Sequence, residues 1–109
     1  MSQVVLSQAG PLPIKTTVMW PSSETVMVAL SGSAWSPSAN STVSVKLSIH
    51  ATTIGTVQMY ANVNGTHMAF PTGFFAVNGE IGETTLEITA NNATTLTDLN
   101  DTFTVALIF

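Results

Sequence analysis

Apolar and polar side chains alternate along much of the chain with a period of two. In Thr42–His50, one set is Val43, Val45, Leu47 and Ile49, and the other is Ser44, Lys46, Ser48 and His50. That spacing predicts a strand with one buried and one wet face. Thr84–Ala90 repeats it, with Leu86, Ile88 and Ala90 inward and Thr85, Glu87 and Thr89 outward. Thr56–Val63 puts Val57, Met59, Ala61 and Val63 on one side, and Gln58, Tyr60 and Asn62 on the other. No segment carries a capped apolar stripe at helical spacing. The abundance of Ser, Thr and Val further weakens any helical reading.

Two segments break the alternation. Thr25–Leu30 and Phe103–Phe109 are apolar on nearly both faces. Such strands lie centrally in a sandwich or at a subunit contact, because an uncovered apolar strand invites aggregation. Asn64-Gly65 and Asn78-Gly79 are the strongest turn signals, since type I′ hairpins need positive φ at both central residues. The first predicts a hairpin joining Thr56–Val63 to Thr66–Phe70. The second lies between Gly73–Val77 and the strand near Thr84. Further breaks fall at Pro11-Leu-Pro13, Pro21-Ser-Ser23, Ser36-Pro-Ser-Ala-Asn40, Pro71-Thr-Gly73 and Asn91-Asn92. About eight short strands separated by such turns imply an all-β fold, an antiparallel sandwich occupying residues 1–109 as one domain.

Composition narrows the function. The 109 residues include 2 basic and 6 acidic side chains, no Arg and no Cys. That is about a third of the charge of an ordinary globular chain. Two lysines cannot neutralise a phosphate backbone, so nucleic acid is not an expected partner. Nor is an anionic membrane surface. No apolar run is long enough to span a bilayer as a helix. The first ten residues lack the basic and apolar regions of a signal peptide. Without Cys there is no disulfide, thiolate or Cys-ligated zinc.

Recognisable catalytic motifs are missing: no Walker-type loop, no G-x-S-x-G, no H-E-x-x-H. A Ser or Thr nucleophile would need His50 or His67 as its base. Glu83 and Glu87 share a strand face about 13 Å apart, too far for a retaining glycosidase pair. No enzyme activity, resident metal or cofactor is therefore expected. Asp98, Asn100 and Asp101 could offer oxygens to calcium, but the spacing departs from an EF-hand loop. The simpler reading is a self-bonded Asx turn leading into the last strand. Exposed rings beside short polar groups suit a neutral sugar, whose C–H face stacks while its hydroxyls hydrogen-bond. Tyr60, Gln58, Asn62, His67 and Trp35 are the candidate ligand-binding residues on that ground.

The closing segment Asp101-Thr-Phe-Thr-Val-Ala-Leu-Ile-Phe109 resembles the last strand of the tumour-necrosis-factor-like jelly rolls. That family includes complement's globular heads and bacterial lectin domains. The resemblance implies a jelly roll and a homotrimer with this strand near the three-fold axis. Here Ala106 stands where the family often has Gly, and no binding residue carries over. The expectation is a non-catalytic, lectin-like homo-oligomer that binds a neutral glycan. The alternative is a structural subunit of a larger particle or appendage. An acidic substitution at Leu107 or Ile108 should unfold or dissociate it.

Overall fold

The computed structural model describes residues 1–109. It is all-β, with ten strands: β1 (Ser2–Ala9), β2 (Ile14–Trp20), β3 (Thr25–Ser31), β4 (Ser33–Ala34), β5 (Ser41–Ile49), β6 (Thr52–Ala61), β7 (Met68–Ala69), β8 (Gly73–Asn78), β9 (Gly82–Ala90) and β10 (Thr102–Ile108). One sheet has the order β1-β10-β3-β8 and the other β2-β9-β5-β6, while β4 and β7 form a small pair. Every pairing in the two sheets is antiparallel.

Setting aside the two-residue strands leaves eight. In chain order, the first pairs with the eighth, the second with the seventh, the third with the sixth and the fourth with the fifth. This is one long antiparallel ribbon rolled into two sheets, which is the jelly-roll arrangement. The doubly apolar segments, β3 and β10, occupy the middle of the first sheet. Val26, Val28, Leu30, Phe103, Val105 and Leu107 point inward and are fully buried. They meet Trp20, Val43, Val45, Leu47, Leu86 and Ile88 of the second sheet in one core.

The hairpins differ from the sequence expectation. The two strands flanking Asn64-Gly65 do not pair; instead β7 pairs with β4. Gly65 has φ 75°, but Asn64 does not have positive φ, so no type I′ turn forms. Gly65 donates its N–H to the Ser36 carbonyl, which ties this turn to another loop. Asn78-Gly79 crosses between sheets, and Asn78 accepts a hydrogen bond from the Thr25 hydroxyl. The tight hairpin is β5–β6, where Ile49 faces Thr52 and only His50 and Ala51 intervene. Their φ values are 49° and 67°, the I′ geometry without Asn or Gly.

Two positions on one wet face also prove drier than alternation suggests. Ser44 and Ser48 on β5 are buried. The segment after β9 folds over Ser44: Thr95 Oγ1 accepts the Ser44 N–H at 2.8 Å, and the Asn91 N–H bonds the Ser44 carbonyl at 2.9 Å. Conversely, Ala90 and Val63, expected inside, are exposed: Ala90 is the last residue of β9, and Val63 lies beyond the end of β6.

Candidate functional site

At one end of the sandwich, residues 32–36 and 65–70 are bound side by side. Phe70 donates its N–H to the Gly32 carbonyl at 2.9 Å, and Trp35 exchanges two backbone hydrogen bonds with Leu96. These links carry Ser33, Trp35 and His67 to the turn that precedes β10. The Asp98–Asp101 turn is built on its own carboxylates. Asp98 Oδ1 accepts the Asn100 N–H at 2.8 Å, and Asp101 Oδ2 accepts the Asp98 N–H at 2.9 Å. This is the self-bonded Asx turn.

Asp101 is wholly buried. Its Oδ1 also accepts the Ser33 hydroxyl at 2.6 Å and lies 2.8 Å from His67 Nδ1. Three donors thus offset the cost of burying the carboxylate. His67 Nε2 lies 3.5 Å from Asp98 Oδ2. The hydrogen bond to Asp101 and the charges of Asp101 and Asp98 raise the His67 pKa above its ordinary 6.5, against some desolvation. The Trp35 ring lies against His67, centroids 5.9 Å apart and planes tilted by 41°. Ser33 donates to Asp101 and not to His67, so the imidazole does not activate this hydroxyl. One ligand atom each from His67, Asp98 and Asp101 falls within 4.8 Å of the others.

The sequence-derived candidates separate into two groups. Trp35 and His67 come together. Gln58 and Tyr60 are exposed on the outer face of β6, an edge strand, and Asn62 follows its end. No hydrogen bond joins the two groups. Ser33 carries no signal in the sequence, and Asp101 reads there as a turn residue or an oxygen ligand for calcium. Nothing in their sequence spacing places either beside His67; the jelly-roll crossing does.

The opposite end holds a cleft of about 350 Å³ between the sheets, lined by Trp20, Ile49, Ile54, Val77 and Ile81, with Glu80 and Glu83 among its polar residues. Trp20 is core, 1% exposed, and its Nε1 has no acceptor. Gly79 passes directly over it: a Cβ there would fall 2.4 Å from Nε1.

The most distinctive surface is the outer face of the first sheet. None of β1, β3, β8 or β10 contains a charged residue. Cross-strand register sets Val4, Ala106, Ala29 and Phe74 in one row and Ser2, Ile108, Met27 and Ala76 in the next. Val4 and Phe74 are 61% and 60% exposed, Ile108 and Met27 40% and 38%. The second sheet carries Lys15, Lys46, Glu83 and Glu87. No helix is long and apolar enough to cross a membrane.

No protein-family model matches the chain, and no curated protein matches it. Among solved structures it is similar to the dimeric latent PorU from Porphyromonas gingivalis, with a TM-score of 0.55 and 13% identity. The match covers 98% of this chain but 13% of that one. At this identity the likeness concerns the fold alone.

Proposed function

We propose that this chain is a non-catalytic binding and assembly module that self-associates through the outer face of its first sheet. The uncharged apolar face carries the reading. Four strands at about 4.8 Å spacing and seven residues at about 3.3 Å rise make a face of roughly 19 by 23 Å. Within it the rows Val4-Ala106-Ala29-Phe74 and Ile108-Met27-Ala76 are apolar, between flanking Thr25, Asn78, Thr102 and Thr104, and apolar patches of roughly a few hundred Å² are often functional. A second copy is the fitting occupant: the face has no charge to oppose its own kind, and alanines at its centre permit close approach. Its central strand, β10, is the segment that resembles the trimeric jelly rolls, so a homotrimer is the proposed state. Placing a charge here tests the idea. Phe74→Asp should lower the mass in sedimentation to that of one chain while leaving the β spectrum intact. Thr17→Asp, on an exposed position of the second sheet, should leave it unchanged. Equal masses for wild type, Phe74→Asp and Thr17→Asp would overturn the proposal.

A second reading, glycan binding, is favoured by the Trp35–His67 contact beside Asp98. A ring, an imidazole and a carboxylate at a loop edge supply a stacking surface and hydrogen-bonding groups for a neutral sugar. Tyr60 and Gln58 on β6 form a separate candidate surface. A glycan array with wild type, Trp35→Ala and Tyr60→Ala tests both. Selective loss in one variant supports its surface, and an array bare for wild type removes the reading.

A further inference from the structure

Asp101 fixes which nitrogen of His67 carries a proton. A buried carboxylate already taking two other donors can only accept, so Nδ1 must donate to it. In neutral imidazole the other nitrogen, Nε2, is then a lone pair. It faces Asp98 Oδ2, also an acceptor, at 3.5 Å. The second Asp98 oxygen is already engaged by the Asn100 N–H, which holds the carboxylate in this orientation. Two acceptors turned toward each other repel unless a proton, a water or a metal cation lies between them.

The separation distinguishes which cation fits. A shared proton draws nitrogen and oxygen to about 2.7–2.9 Å. A divalent ion bonded to both at about 2.0–2.2 Å with tetrahedral angles holds them roughly 3.3–3.5 Å apart. The 3.5 Å separation, long for a shared proton though within the range of an exposed ion pair, accommodates the second distance. A carboxylate on the far nitrogen of a ligating histidine is also the usual support for such a ligand, fixing tautomer and ring direction. Trp35 packed against the ring restricts its plane further.

We propose that His67 Nε2 and Asp98 Oδ2 form a binding site for a borderline divalent cation, with zinc the best match. Asp101 is a positioning residue that acts through His67. The nitrogen–carboxylate donor pair favours zinc over calcium or magnesium, which prefer all-oxygen sets. The His67 and Asp98 side chains are 33% and 44% exposed, which leaves room for water or a ligand's oxygen to complete the coordination.

Titration calorimetry of the full chain with zinc chloride, in a non-chelating buffer, tests the site. Wild type should bind one zinc per chain. His67→Gln and Asp98→Asn should each weaken binding at least 10-fold, whereas His50→Gln should not. Asp101→Asn should weaken it by about 10–100-fold, as loss of a supporting carboxylate does. In wild-type NMR spectra, zinc should shift His67 Nε2 more than any His50 nitrogen. Circular dichroism checks that each variant folds. No zinc binding by wild type, undiminished binding in folded His67→Gln and Asp98→Asn, or calcium bound in preference to zinc would overturn the proposal.

Discussion

Asp101 is the residue on which the loop end of the sandwich depends. It satisfies Ser33, His67 and the backbone of Asp98 at once. Replacing it with Ala leaves the Ser33 hydroxyl and the Asp98 N–H without their buried acceptor, which typically costs about 1–3 kcal/mol per unsatisfied group. Asp101→Ala should therefore lower the urea midpoint well beyond Asp98→Ala, whose side chain is partly exposed. His67 adds a pH dependence. Its folded pKa is raised, so the folded state binds the proton more tightly than the unfolded chain. The associated stabilisation is fully present below about pH 6.5, the unfolded value. It is lost as pH rises through the folded pKa. In chelator, the wild-type urea midpoint should fall over that window relative to His67→Gln, and a parallel pair of curves would refute the effect.

Among the elements, the β5–β6 hairpin stores strain. Ala51 sits at φ 67°, where a side chain costs about 1–2 kcal/mol relative to right-handed backbone. Glycine has no Cβ to clash there, so Ala51→Gly should raise the urea midpoint, with a gain of about 1 kcal/mol. β10 separates core from surface along one strand. Leu107 is fully buried, so Leu107→Asp should abolish the folded β spectrum, whereas Ile108, at 40% exposed, should tolerate Asp and lose association instead. The central strands were legible from sequence because β3 and β10 are apolar on both faces. The β5 and β9 alternation was legible too, since it reports burial against the opposite sheet. The hairpins were misread for a physical reason. Asn-Gly permits a type I′ turn but does not compel one, and Asn78 and Gly65 are instead bound into connections between distant strands. His50-Ala51 carries no local turn preference; the pairing of β5 with β6 imposes the geometry. The meeting of His67 with Asp101 was illegible because three strands, β7, β8 and β9, run between them in the chain.

At the scale of the whole molecule, the eight charged residues are unevenly placed. Four lie on the second sheet and none on the first. The remaining four, Glu24, Glu80, Asp98 and Asp101, lie outside the strands. Charge is scarce throughout and absent from the first sheet, which makes that sheet the side better suited to apolar contact. Association through an apolar face is insensitive to screening, unlike contacts between surface charges. The most direct test is the mass of wild type in solution by light scattering at about ten micromolar, at low and at high salt. Self-assembly through the first sheet predicts a fixed multiple of 11.4 kDa, three chains for the trimer, that salt leaves unchanged or strengthens. A mass of 11.4 kDa at both salt concentrations would contradict it.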